Sequence, residues 1–231
     1  MHILPWSEST AALNMARDLL LLEAYPDAAV PRFRAYGWSE PAFTFGVSQR
    51  WAEYRPKVPA GTTLVRRATG GGLVSHLEDW TFALAIPASH PVFGLEALAS
   101  YGVVLLALEQ ALRAQGQPVA SVPSPSGPRG FLAPEICASR PEPHDLVNAG
   151  DGRKVAGAAQ KRTRDGLLLE GYVWKPFLAG LDTARLMTDF SNQLAESLGT
   201  QAMSVAEPAY PRDIAAGTAE KFSSRAWNER L

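Results

Sequence analysis

The sequence predicts an α+β, mixed α/β fold with a largely antiparallel sheet and flanking helices. Three observations lead there. β-prone runs and helical stretches interleave without a regular βαβ rhythm. Gly150-Asp151-Gly152 between two β-prone runs is a hairpin signature. The chain carries no internal repeat.

The elements follow in order. Residues from Ser9 to Ala24 read as a helix, with Ser9 or Thr10 as its cap, Pro26 closing it and Leu19 to Leu22 on its apolar side. FRAYGW and AFTFGVSQ are two short β-prone runs. Thr63 to Arg67 reads as a strand that Leu73 to His76 continues beyond a glycine triplet, and Trp80 to Ile86 is a further strand. From Gly94 to Ala114, apolar residues recur at helical spacing. Ser121 to Gly130 is a loop by composition. His144 to Val147 and Arg153 to Ala159 form the arms of the hairpin, Leu167 to Trp174 is another strand, and Pro176 to Leu231 read as helices with loops.

The 231 residues suit one large domain or two small ones; a single domain over 1–231 is expected. Hydrophobic residues make up 46% and charged residues 19%, which supports a sizeable core and argues against disorder. A net charge of −1 supplies no global field for a polyanion, so nucleic acid is not expected as the partner. Cys137 is the sole cysteine, so no disulfide forms within the chain, as in a reducing, cytoplasmic setting. No basic segment followed by a long apolar run opens the chain, and no segment of about 20 apolar residues is evident, so neither a signal peptide nor membrane insertion is expected. The histidines and the cysteine are scattered, and no metal site is expected.

Two constellations carry chemistry. In Val65-Arg66-Arg67-Ala68-Thr69-Gly70-Gly71-Gly72-Leu73-Val74-Ser75-His76, three glycines allow close approach of a ligand to the main chain. Their N–H groups can gather around an anion or a carbonyl oxygen. Arg66 and Arg67 at the entrance suit a carboxylate or phosphate. The plain alternative is a flexible turn with two surface arginines. The second is Asp145-Leu146-Val147 followed by Gly152-Arg153-Lys154-Val155-Ala156-Gly157-Ala158-Ala159-Gln160. Lys154 there is either a solvated hairpin lysine or a fixed point charge, and the small residues from Ala156 to Ala159 leave space beside the strand for a ligand.

Together these segments resemble the biotin/lipoate attachment superfamily, in its lipoate–protein ligase and octanoyltransferase branch. Arg66-Arg67-x-Thr69-Gly70-Gly71-Gly72-x-Val74-x-His76 is similar to that branch's RRxxGGGxVxH motif, and Gly152 to Gln160 to its GRKxxGSAQ motif. Asn14-Met15-Ala16-Arg17-Asp18 is similar to an NMAxD helix, and Trp38, Pro41 and Phe45-Gly46-x-x-Gln49 to a W-x-x-P…G-x-x-Q stretch. Leu167 to Gly171 matches the strand that follows the lysine. The likeness covers residues 9 to 175. It implies a class II aminoacyl-tRNA synthetase/biotin-ligase-like fold curved around an acyl tunnel. It further implies that Arg66, Arg67, Thr69, Gly70, Gly71, Gly72, His76, Gly157 and Ala159 bind substrate and that Lys154 sits over the activated carbonyl or its phosphate. Two departures stand out: Ala158 replaces the family serine after Gly157, and Glu170 stands where the family often has histidine or another polar residue.

Cys137 separates two mechanisms. Ligases of the branch use ATP, with Mg, and pass through an acyl-adenylate. Its octanoyltransferases take the acyl group from acyl carrier protein onto a cysteine a few residues before the D/E-L-V segment, and Cys137 falls at that spacing before Asp145. A thiolate attacks a thioester without ATP, and a nearby ammonium would raise the thiolate fraction. The bland alternative is a small buried hydrophobe. His144 is a candidate base or a bystander. The stretch after Trp174 is thin for a complete accessory domain, which favours the transferase, with no cofactor required. The expected partners are octanoyl-acyl carrier protein as donor and a lipoyl domain or glycine-cleavage-type carrier as acceptor. Arg140, Arg153, Lys161, Arg162 and Arg164 offer a basic rim for them or a solvated hairpin. A scaffold that only kept the fold is the non-enzyme alternative.

Overall fold

A computed structural model describes residues 1–123 and 141–231. The first strands, β1 (His2–Ile3) and β2 (Ser7–Ser9), lead into helix α1 (Ala11–Glu23). Thr10 holds the cap position of α1 but makes no side-chain cap bond. Glu40 Oε1 accepts from Ala11 N at 2.9 Å instead, so a carboxylate from a later loop satisfies this helix start. Leu19, Leu20, Leu21 and Leu22 are all buried. A single apolar stripe cannot achieve that; α1 lies between the sheet and a C-terminal helix, so more than one of its faces is covered.

The strands β3 (Arg32–Trp38) and β4 (Ala42–Phe45), the short helix α2 (Trp51–Tyr54) and β5 (Thr63–Arg66) come next. They are followed by β6 (Val74–Ser75), β7 (Asp79–Pro87), helix α3 (Ala97–Ala114) and β8 (Val119–Ser121). The expected hairpin is β9 (Leu146–Asn148) with β10 (Lys154–Thr163), and β11 (Gly166–Trp174) completes the meander. Gly152 has φ +72° at the hairpin turn, a left-handed geometry that glycine adopts without strain. The chain continues through α4 (Thr183–Ser197), β12 (Met203–Ser204), α5 (Arg212–Ser223) and α6 (Arg225–Asn228).

Among the described residues, nine strands form one sheet in the order β12-β1-β3-β7-β11-β10-β9-β8, with β2 also beside β3. The central pairs from β3 to β8 are antiparallel, while β1 and β2 join β3, and β12 joins β1, in parallel. A second sheet, β5-β4-β6, stands apart. Leu73 to His76 does not continue the preceding strand, contrary to expectation. β5 runs parallel to β4 on one edge, and β6 runs antiparallel to it on the other. The glycine triplet therefore carries the chain across the end of β4.

Strand alternation divides the core. Phe33, Phe82, Leu84, Leu167, Leu169 and Val173 pack against α3 and α4 on one face of the large sheet. Phe190 of α4 meets Phe82 edge-on at 5.0 Å between ring centroids. Tyr36, Ala83, Ala85 and Leu168 face α1. By length and composition alone the 18-residue α3 could cross a membrane, but half of it is buried inside the protein, as in a core helix.

Candidate active site

The register of the large sheet builds the floor of a cavity. On the α1 face, Tyr36, Thr81, Tyr172 and Gly157 occupy one cross-strand row. Arg34, Ala83, Glu170 and Ala159 occupy the next. Small residues at Ala159 and Thr81 leave a trough. The second sheet and the glycine loop close it from the other side through Thr44, Arg67, Gly71, Val74 and His76, and Met15 of α1 adds to the wall. The cavity holds about 430 Å³ of empty space, its mouth included, and its lining is mainly apolar.

The glycine loop is pressed onto β4. A Cβ added at Gly46 would lie 2.0 Å from Gly71 O, so only glycine tolerates the approach. Gly71 itself has φ +84°. Thr69 O accepts from Val47 N at 2.8 Å, which ties the loop to the end of β4. Arg67 Nη2 donates to Gly70 O at 2.8 Å and Gly72 O at 2.9 Å, and its Nη1 donates to Thr44 Oγ1 at 2.8 Å. His76 stacks on Trp38 at 4.0 Å between centroids. Its Nδ1 lies 2.7 Å from Asp79 Oδ2 and its Nε2 2.7 Å from Thr44 Oγ1. With the carboxylate accepting from Nδ1–H, Nε2 accepts from the Thr44 hydroxyl, whose oxygen in turn accepts from Arg67. Trp38 Nε1 donates to Thr81 Oγ1 at 2.8 Å, and Thr81 Oγ1 donates to Asp79 Oδ2 at 3.0 Å. This chain of bonds fixes the imidazole edge in the cavity wall.

Lys154 lines the same cavity, at the start of β10. Its Nζ lies 2.7 Å from Asp145 Oδ2, and both side chains are buried. The carboxylate is held from three sides: Oδ2 also accepts from Glu142 N at 2.6 Å, and Oδ1 accepts from Tyr101 Oη of α3. Tyr101 Oη accepts in turn from Ala158 N at 2.9 Å. Burial, with the Asp145 charge beside it, pushes the Tyr101 phenol well above its ordinary range and keeps it a donor. A bulge between Lys154 and Ala156 shifts the register of β9 against β10. A Cβ at Gly157 would lie 2.7 Å from Asp145 Oδ1 and 2.9 Å from Lys154 Nζ, so the bare glycine makes room for the ion pair. A second cavity among the described residues, lined in part by Leu98, Tyr101, Pro143 and Gln160, also reaches Lys154, which therefore stands between two cavities.

Glu170 lies deeper on the floor. Thr69 Oγ1 donates to its Oε2, while Oε1 is buried with no partner among the described residues. Burial first, and the negative charge of Asp18 second, raise this carboxyl to about 7. Below it, Asp18 accepts from Arg34 Nη1 at 2.7 Å and from Tyr36 Oη at 2.6 Å. Asn14 Oδ1 accepts from Arg34 Nη2 at 3.0 Å, so the Asn14 and Asp18 pair of α1 supports the floor from behind.

Residues 10–177 match the family described as the lipoyl protein ligase A/B catalytic domain. The chain belongs to that family. It is 32% identical over 209 residues to the octanoyltransferase LipM of Macrococcus caseolyticus, covering 84% of this chain and 74% of that protein. It is 30% identical to the LipM of Kyrpidia tusciae, covering 74% of this chain and 65% of that protein, so the chain spans about two thirds of the latter's length. The fold is that of the bi-partite lipoate protein ligase of Thermoplasma acidophilum, with a TM-score of 0.75, 17% identity and coverage of 99% and 95% of the two chains. Lipoate-bound LipL1 of P. falciparum superposes with a TM-score of 0.69 at 11% identity, covering all of this chain and 74% of that one.

Within this catalytic domain the residues predicted from sequence separate into three groups. Arg67, Gly71, His76, Lys154 and Ala159 line the cavity together. Thr69, Gly70, Gly72 and Gly157 act behind that surface, through Glu170, Arg67 and the ion pair. Arg66 does not reach the cavity. Its guanidinium donates to Val47 O, Gln49 O, Trp227 O and Asn228 O, so it joins β5 to the C-terminal helix α6 rather than meeting an anion. Cys137 and Arg140 lie outside the described residues. His144 has φ +68° and its ring packs on Gly102 of α3. Arg162 donates to Phe93 O, Leu95 O and Ser100 Oγ, which makes it a strut to α3 rather than an open rim charge. Sequence reasoning omitted Asp145, Tyr101 and Thr44 from the site. Asp145 stood in the quoted motif, but only the bulged hairpin register brings it to Lys154.

Proposed function

We propose that this chain transfers an octanoyl or lipoyl group to a lysine of a lipoyl carrier domain through a thioester on Cys137. One observation supports this reading above the others: a buried, carboxylate-clamped ammonium, Lys154, at the side of a mainly apolar cavity roofed by a glycine loop. The acyl chain lies in the trough, with its carbonyl at Lys154. The Cys137 thiol loses its proton and attacks the thioester carbonyl of octanoyl-acyl carrier protein as a thiolate, and the bond to the carrier's sulfur breaks, that sulfur leaving as a thiolate that takes up the proton Cys137 released. The unprotonated amine of the acceptor lysine then attacks acyl-Cys137, giving an amide, the thiol and no net consumption of ATP. Lys154 holds the acyl oxygen as negative charge gathers on it, an interaction stronger in the transition state than in the ground state. Asp145 changes what was expected of this lysine. The two charges cancel at long range, so Lys154 acts by direct contact rather than as an isolated positive field.

The test is intact mass after incubation with octanoyl-acyl carrier protein. The wild type gains one octanoyl group, Cys137→Ala gains none, and addition of a lipoyl domain moves the label to a lysine amide. Full carrier octanoylation by Cys137→Ala, accompanied by pyrophosphate release from ATP, would replace this reading with the ATP-dependent ligase.

A further inference from the structure

Cross-strand rows divide the floor of the slot into steps, and the lining of the cavity stops at the second. Lys154 Nζ lies over Gly157, in the row that also holds Tyr172, Thr81 and Tyr36. The next row on that face holds Ala159, Glu170, Ala83 and Arg34, and the third holds Lys161, Leu168, Ala85 and Arg32. Tyr36, Thr81, Tyr172, Ala159 and Glu170 of the first two rows line the cavity, whereas no residue of the third row does. Helix α1 covers the floor from there on. Arg34 of the second row bonds Asn14 and Asp18, and Arg32 of the third bonds the carbonyls of Leu21 and Leu22, so α1 runs from the second row towards the third. Met15 is the residue of α1 that lines the cavity, and it belongs to the same buried apolar cluster as Leu19, Ala85 and Leu168. Its side chain therefore separates the open slot from the packed third row.

Successive rows on one face advance about 7 Å, so the third row lies about 14 Å from the first. Carbon atoms in contact stay about 4 Å apart, which leaves about 10 Å for a chain whose carbonyl is at Lys154. An extended chain of single bonds advances about 1.2 Å per bond, as a three-bond residue spans about 3.5 Å. From carbonyl to last carbon, an octanoyl group takes about 8 Å and a dodecanoyl group about 13 Å. The shorter chain ends before the third row, and the longer one runs into it. We propose that Met15, backed by Leu168, is the stop that sets the acyl chain length this slot accepts at about eight carbons. The inference rests on the acyl-slot reading above and names the residue that gives the slot its length. Shortening this side chain opens the slot towards Leu19 and Leu168, and alanine, the best helix former, keeps α1 in place.

Transfer to a lipoyl domain from hexanoyl-, octanoyl- and dodecanoyl-acyl carrier protein in direct competition reads the length of the slot. The wild type uses the octanoyl donor at least about tenfold better than the dodecanoyl donor in kcat/KM. Met15→Ala raises the relative use of dodecanoyl at least about tenfold, and Met15→Phe, with a bulkier stop, moves the preference to hexanoyl. Thermal melts check that the variants fold, and if one of them does not, the other carries the test. A folded variant that keeps the wild-type order and ratios overturns the inference, while the acyl-slot reading stands. Equal use of octanoyl and dodecanoyl by the wild type overturns it alone in the same way. Absence of transfer from every donor by the wild type overturns the acyl-slot reading as well.

Discussion

On the side of β5 that faces the C-terminal helix α6, four backbone carbonyls engage the Arg66 guanidinium, and Asn228 Oδ1 accepts from Arg66 N at 2.8 Å. On the other side, Arg67 reaches into the cavity wall and holds the glycine loop by two of its carbonyls and Thr44 by its hydroxyl. Both side chains are buried and cationic, and they are consecutive in the chain. One fastens the scaffold and the other shapes the site, because successive residues of an extended chain point to opposite faces. Two arginines in one motif thus need not share one job.

Arg66→Ala should separate the two sides most strongly. It leaves several buried carbonyls without donors and frees α6 from β5, at a cost of roughly 3–5 kcal/mol. Urea denaturation measures this, and the fraction that stays folded should still bind an acyl ligand. Equal loss of acyl affinity in the folded fraction would show that the two sides are not independent.

Gly46→Ala acts at the seam. Its Cβ would meet Gly71 O at 2.0 Å, so either β4 or the glycine loop has to move. The expected cost is about 2–4 kcal/mol, accompanied by loss of acyl binding, because the displaced atoms form the cavity roof. A variant of wild-type stability that still binds octanoic acid normally would mean that the loop holds its place for other reasons.

Arg67→Ala should invert the pattern seen with Arg66. Its guanidinium serves two loop carbonyls and one hydroxyl, against four carbonyls for Arg66, so the loss of stability is smaller, about 1–3 kcal/mol. Acyl transfer should fall about a hundredfold in kcat/KM, because the glycine loop and the Thr44–His76 bond lose their common anchor. Arg67→Lys restores a charge but not the two-pronged geometry, and should recover little.

Much of this arrangement was readable in the amino-acid order. The hairpin around Gly152, the long strands β7 and β11 and the helices α1 and α3 follow from turn chemistry and periodicity. The separation of Arg66 from Arg67 was readable too: alternation in the Thr63 to Arg67 run already places them on opposite faces, and the shared motif obscured it. Other features were beyond sequence. The parallel strands β1 and β12 have two residues each, too few for any pattern, and are held by pairing with distant partners. The Lys154–Asp145 pair depends on a bulge, and a one-residue shift there would send one partner to the opposite face. Glu170 was visible as a departure, but its row on the cavity floor was not.

The smallest expected effect sharpens the comparison between a satisfied buried charge and an unsatisfied one. Arg66 has acceptors for its guanidinium, whereas Glu170 is buried near Asp18 and has one oxygen without a described partner. Its carboxyl is raised from 4.5 to about 7 in the folded protein, so the folded state holds the proton longer than the unfolded chain. Below about pH 4.5 both states are protonated and Glu170 imposes no ionisation penalty. As the pH rises from 4.5 towards 7, the unfolded chain releases the proton while the fold retains it, and stability falls; above 7 the penalty is fully present. Asp18 is raised by burial as well and faces Glu170, so the two titrate as a pair and the step is broadened. Glu170→Gln keeps the shape and removes the titration. Its stability in urea should gain on the wild type steadily between pH 5 and 7 and hold a constant lead above pH 7.5. A pH-independent difference between the two proteins would mean that Glu170 ionises in the fold as readily as in water.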